Sequence, residues 1–261
     1  MTDEERLAWL RLARTERVGP VAFENLLGRF GSAGAVLDAI PELSRRAGPI
    51  RVPSLDDARR ELDAGMEMGA KLYCSCEQAF PHLLAALDPP PPLIWVLGDI
   101  GIAARPTAAI VGARVASAGG QKFARGLAAQ LGEADVTIVS GLARGIDAAA
   151  HKAALPTGTA AVLAGGIDQI YPDENVPLAR AILEHGGMLL SEMPFGWQPR
   201  AQDFPRRNRI VSGLALGVLV VEAAKRSGSL ITARLALEQD REVFAVPGSP
   251  LDPRAEGGNH L

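Results

Sequence analysis

Apolar positions along the 261-residue chain change their period near residue 70. Before that point Leu7, Leu10, Leu12 and Ala13 recur at helical spacing, Val18-Gly-Pro-Val21 breaks the pattern, and Phe23, Leu26, Leu27 and Phe30 resume it. Gly31-Ser32 ends that helix, another is expected over 35–40, prolines and Gly48 interrupt 41–54, and a fourth helix is expected over 55–68. Beyond residue 70, short apolar runs alternate with amphipathic stretches. Strands are expected over 71–75, 93–97, 108–111, 137–139, 159–163, 188–190, 218–221 and 243–246, and helices over 121–131, 146–155, 175–184, 204–214 and 230–238. The prolines at 89–92 cannot donate to a ladder and deliver 93–97 as a strand. Each strand is short and apolar, as strands covered on both faces are. The fold class is therefore α/β, a doubly wound, mostly parallel sheet preceded by a small all-helical domain, with the division expected at 1–69 and 70–261.

Tight glycine turns join these strands to these helices, and three of them carry chemistry. The central one runs from Ser140 through Gly141, Arg144 and Gly145 to Asp147 and His151. Gly141 and Gly145 permit close backbone approach, and the positive end of the helix starting near Gly145 favours an anion. Val111-Gly-Ala-Arg-Val-Ala-Ser117 precedes it and Lys225-Arg-Ser-Gly-Ser-Leu-Ile231 follows it. One such turn is ordinary α/β punctuation. Three, each with a cation and a hydroxyl, suggest several phosphates in a row, as along a nucleic-acid backbone. The two N-terminal helices about Val18-Gly-Pro-Val21 look like a helix-hairpin-helix, which either offers N–H groups to a DNA phosphate or serves as a plain packing or protein-contact unit.

Charge limits this picture. The formal net charge is −3, so no global positive field announces a nucleic acid, and any such surface must be a local patch. Cys74 and Cys76 fall on an expected strand where alternation puts both on one face; they lack the ligand count of a zinc site, so no metal is expected and a structural role in a reducing compartment is. The acidic N-terminus has no secretory pattern and no 18-residue apolar window exists, so a cytoplasmic protein without membrane contact is expected. The G-x-G-x-x-G fingerprint is absent after Val111, so no dinucleotide cofactor is expected.

The most unusual local sequence is Phe204-Pro-Arg-Arg-Asn-Arg209, where Arg200, Arg206, Arg207 and Arg209 face a single acid, Asp203, within ten residues. Cations are unfavourable at a helix N-terminus, so something should offset them: a bound polyanion, the alternative being an ordinary solvated face or an ion pair with Glu192 or Glu222. Ser140, Asp147 and His151 supply the letters of a catalytic triad, but Asp147 and His151 stand i, i+4 on one helix, which fits a surface pair or a helix-internal hydrogen bond better. Ser227 has a hydroxyl and no evident base. Tyr171 either stacks on a base or caps the core.

Val111-Gly-Ala-Arg-Val-Ala-Ser117, the Ser140–His151 turn, Tyr171-Pro, Ser191-Glu-Met-Pro194, Phe204-Pro-Arg-Arg-Asn-Arg209, Val221-Glu-Ala223, Ser227-Gly-Ser-Leu-Ile-Thr-Ala233 and Phe244-Ala-Val-Pro-Gly248 together resemble the DprA/Smf family, DNA-processing proteins of bacterial natural transformation. The resemblance runs over 73–260. It implies an extended Rossmann-like domain that binds single-stranded DNA with little sequence preference, forms a homodimer, and helps load the RecA recombinase on strands coated with single-strand-binding protein, without catalysis of its own. It implies DNA contact at Arg114 and at Arg206, Asn208 and Arg209, with Arg144, Arg200 and Ser227 beside them and Ser117, Arg207 and Ser229 completing the set. Ala113 stands where many members have Ser, and Gly119 where Tyr is common. The last residues resemble the close of that domain, after which many members carry a winged helix. Two other readings stay open. One is a Rossmann-type nucleotide-binding hydrolase, although the turn at Ser227 lacks the acid of the P-G-G-x-G-T-x-x-E signature. The other is a scaffold that contacts only proteins.

Overall fold

The computed structural model describes residues 1–261, the side chains of residues 46 and 47 excepted. Its N-terminal quarter is helical: α1 (Asp3–Ala13), α2 (Pro20–Phe30), α3 (Ala33–Ala47) and α4 (Leu55–Met68). Local chemistry sets these boundaries. Thr2 with Glu5, and Ser54 with Asp57, form capping boxes at the starts of α1 and α4. Pro20 occupies the first turn of α2, where its missing N–H costs nothing. α3 corrects the expected break at Pro41: the helix passes through it to Ala47, with Val36 and Ile40 on the preceding turn buried against Leu12 and Phe23. Burial of that turn outweighs one forfeited backbone hydrogen bond.

The rest of the chain alternates: β1 (Lys71–Cys74), α5 (His82–Ala85), β2 (Leu93–Gly98), β3 (Thr107–Gly112), α6 (Ala118–Glu133), β4 (Thr137–Ser140), α7 (Ile146–Ala154), β5 (Thr159–Val162), α8 (Val176–Glu184), β6 (Met188–Ser191), α9 (Asp203–Gly213), β7 (Gly217–Val221), α10 (Gly228–Glu238) and β8 (Glu242–Ala245). Among the described residues these strands form one sheet in the order β1-β2-β6-β5-β4-β3-β7-β8. β1 and β2, and β2 and β6, pair antiparallel; all remaining neighbours are parallel.

Both faces of this sheet are covered except at the edge strand β8, where Glu242 and Phe244 are exposed. Alternation in β2 sends Ile94 and Val96 to one face, where they meet Leu84, Ile210 and Ala233, and Leu93 and Trp95 to the other, where they meet Leu10, Ala58 and Ile182. The N-terminal helices are thus seated on the sheet as well as on one another: Leu10 of α1 joins the sheet core while Leu12 joins the small helical core. β1 ends at Cys74, and Cys76 falls in the turn after it. The two thiols therefore do not share a face, contrary to expectation; Cys74 is buried and Cys76 exposed, both free. Burial pushes the Cys74 thiol well above its usual range. No helix among the described residues is long and apolar enough to cross a membrane.

Winding reverses between β3 and β7. From β3 the chain moves through β4, β5 and β6 to one side, then returns to place β7 and β8 on the other. Crevices form outside the carboxyl ends of strands at such a switch point.

Candidate nucleic-acid interface

A cleft of about 900 Å³ opens at that point, lined by the turn after β3, Gly141 and Ala143 after β4, the first turns of α9, and the start of α10. Arg114 leaves the turn after β3 exposed, its guanidinium 5.4 Å from the Phe204 ring centroid. Tyr171, half exposed, meets the same ring edge-on at 5.6 Å. Arginine over an aromatic pair is a surface on which a base or sugar-phosphate can lie. On the opposite wall Ser227 caps α10: its Oγ accepts the N–H of Ser229 at 3.3 Å and lies 2.6 Å from the Ser229 hydroxyl. Asn208 donates to the carbonyl of Gly228 at 3.2 Å and so ties α9 to the start of α10. Arg226 stands exposed immediately before the cap, where it reinforces the positive end of the helix.

Several expected contacts are placed elsewhere. The Ser117 hydroxyl caps α6 by accepting the N–H of Gly120 at 2.9 Å and donates to Glu222, whose other oxygen takes the Ser117 N–H at 2.8 Å; it does not line the cleft. Arg209 is paired with Glu192, and Arg206 lies 3.7 Å from the same carboxylate. The ion-pair alternative therefore accounts for two of the four clustered arginines. Arg207 is buried, 8% exposed, and its Nη1 donates to the carbonyl of Val162 at 2.6 Å. Burial pushes its guanidinium down to about 10, opposed by the Asp147 carboxylate, so it stays charged near neutrality. Arg144 is exposed but pairs with Glu174 at 2.8 Å. Arg200 lies over the Trp197 ring at 4.6 Å, on the rim beyond Pro199 and Ala201.

The central turn is also closed to a ligand on its inner side. The N–H groups of Gly141 and Ala143 both point to one oxygen of Asp147, at 3.0 and 3.4 Å, so the chain's own carboxylate occupies that place. Gly145, at φ 71°, lets the turn press on the carbonyls of Ala113 and Arg114, where a Cβ would collide. The turn still lines the cleft through Gly141 and Ala143, and Arg144 borders a small recess beside it with Arg114, Tyr171 and Phe204.

No triad forms. Ser140 donates to the carbonyl of Ile110 at 2.6 Å, and His151 lies 2.8 Å from Thr159 Oγ1 through Nδ1. The Thr159 hydroxyl donates its proton to Ile138, so Nδ1–H is the donor to it, and the His151 Nε2 is a buried acceptor without a hydrogen bond among the described residues. Asp147 and His151 are both buried, which corrects the expected surface pair. Among the described residues no three His, Cys, Asp or Glu side chains gather to hold a metal ion.

Arg226 and Arg254, both lining the cleft, were not among the expected contacts. Arg226 was legible by the rule that a cation beside a helix N-terminus attracts phosphate. Arg254, paired with Asp252 at 2.7 Å, comes from a segment with no local signal.

The family model described as DNA recombination-mediator protein A matches residues 71–261. The chain belongs to that family. A second model, the DprA-like N-terminal HHH domain, matches residues 3–64. Among relatives, Protein Smf of Escherichia coli is 51% identical over 183 residues, 69% of this chain and 49% of that protein; DNA processing protein DprA of Bacillus subtilis is 42% identical over 201 residues, 76% and 67%. The chain thus spans about half the length of the first and two thirds of the second. The DprA crystal structure from Streptococcus pneumoniae superposes with TM-score 0.78 at 31% identity, covering 99% of this chain and 92% of that one. A Helicobacter pylori DprA structure, described as giving insight into single-stranded DNA binding, superposes with TM-score 0.68 at 30% identity, covering 74% and 86%.

Proposed function

We propose that this DprA-family protein binds single-stranded DNA without catalysis and helps load RecA on it during transformation and recombination. The observation that carries the reading is the cleft itself: exposed Arg114 and Arg226 on facing walls, the α10 N-terminus beside Arg226, and the Tyr171–Phe204 pair beside Arg114. Cations and a helix terminus hold phosphates whatever the sequence, and aromatic faces accept any base. The H. pylori relative, described by its single-stranded DNA binding, supports the same ligand class. Arg114, Asn208, Ser227, Ser229 and Arg226 are proposed as the contacting set, with Arg144 and Arg200 on the rim. A homodimer, contact with single-strand-binding protein, a cytoplasmic setting and a domain division at residue 70 complete the proposal.

A labelled dT oligonucleotide titrated with the protein at low and high salt, with duplex as competitor, tests the ligand. Binding is expected to favour the single strand and to weaken steeply as salt rises; absence of binding at low salt would sink the reading. RecA nucleation on strands coated with single-strand-binding protein, with and without the chain, tests the mediator role. Free-base release from a nucleotide panel would favour the hydrolase instead; in the cleft the Ser227 hydroxyl meets Ser229, not a base.

A further inference from the structure

Arg207 and Asp147 are the two charged side chains that the cleft draws inside, and neither is free to reach outward. We propose that they act as a positioning pair: Arg207 is a strut that, with Asp147, fixes the 141–145 turn forming the cleft floor, and it does not touch phosphate. The proposal rests on the DNA-binding reading above.

Four observations support it. Arg207 and Asp147 are 8% and 6% exposed. The carboxylate gathers the N–H groups of Gly141 and Ala143, which fixes the turn from the side of α7. The guanidinium reaches the same turn from α9, anchored on the Val162 carbonyl at 2.6 Å and packed against Gly141 so closely that a Cβ there would overlap it. Its Nε is buried without a hydrogen bond among the described residues, so the Val162 carbonyl and the packing against Gly141 hold the guanidinium. A buried charge pair is a poor source of stability, and its clearest use is to specify one geometry. Here that geometry joins α9, which carries Phe204 and Asn208, to the turn that braces Arg114 through Gly145.

The sign of one substitution separates this from a phosphate contact. Asp147→Asn removes a negative charge beside the cleft, so electrostatics alone would tighten polyanion binding; loss of the strut would weaken it. The experiment uses the full chain as wild type, Asp147→Asn, Arg207→Met, the double variant and Gly141→Ala. A labelled dT oligonucleotide is titrated over a salt series, and hydrogen exchange is followed at the Gly141 and Ala143 amides of the free proteins. Asp147→Asn and Arg207→Met are each expected to weaken binding about tenfold, together less than additively, with the slope of log affinity on log salt unchanged and both amides exchanging faster. Tighter binding by Asp147→Asn, or a slope smaller by about 0.7 in Arg207→Met, as for one lost phosphate contact, overturns the proposal. If Arg207→Met does not fold, Gly141→Ala crowds the guanidinium with both charges kept; it is expected to weaken binding at constant slope, and unchanged affinity contradicts the strut. Wild type that binds no oligonucleotide defeats the DNA-binding reading instead, and the exchange rates alone then decide: unprotected amides in the variants support the strut, unchanged ones refute it.

Discussion

Ser117 and Arg114 stand three residues apart in one turn and face opposite ways. Arg114 projects into the cleft over Phe204, while the Ser117 hydroxyl is taken up by the Gly120 amide and by Glu222. Ser117→Ala is therefore expected to cost about 1 kcal/mol of stability, as the loss of an N-cap does, and to leave oligonucleotide affinity unchanged; urea unfolding beside a binding titration checks both. His151 makes a second prediction at this scale. Burial holds its imidazole neutral, with the pKa lowered from 6.5 to about 3. Between those values the unfolded chain binds the proton and the folded chain does not, so stability present above pH 6.5 is lost as pH falls toward 3. His151→Gln is expected to flatten that part of the stability profile, measured by urea unfolding from pH 7 downward.

Elements are joined through a seam that local pattern does not show. Arg14, at the end of α1, pairs with Glu61 of α4 at 2.8 Å and also donates to the Glu192 carbonyl at 3.0 Å, while Trp95 of β2 donates to the same Glu61 and packs its ring on Gly65. Arg14→Met leaves Glu61 largely buried without its cation and is expected to destabilise by about 3 kcal/mol in denaturant unfolding. Gly65→Ala places a methyl inside the indole and is expected to cost roughly 1–3 kcal/mol in the same measurement. The elements themselves were legible, because every strand is a short apolar run between turn residues and α4 has both a capping box and a glycine stop. What was not legible depended on distant packing. The continuation of α3 through Pro41 rests on Ile40 reaching the small helical core, and the end of β1 at Cys74 rests on Glu77, which turns back to accept the Cys74 N–H at 2.8 Å.

For the molecule as a whole, the net charge of −3 conceals a cleft whose exposed charges are cationic. The place of the site was legible from the alternation of elements, since a doubly wound sheet puts it at the carboxyl ends of its strands. Which arginines face it was not. Arg206 and Arg209 are separated from Glu192 by a loop, and no periodicity within α9 reveals that the acid returns to meet them. Arg207 carries the same letter and is buried under the turn. Within Phe204-Pro-Arg-Arg-Asn-Arg209 the three arginines thus stand in different surroundings, two against Glu192 and one under the turn. The most direct measurement is the salt dependence of dT oligonucleotide binding for wild type, for Arg114→Met combined with Arg226→Met, and for Arg209→Met. With Arg114 and Arg226 each neutralising one phosphate, the slope of log affinity on log salt is expected to fall by about 1.4 in the double variant and to stay at the wild-type value in Arg209→Met. An unchanged slope in the double variant, or a reduced one in Arg209→Met alone, would place the DNA somewhere other than this cleft.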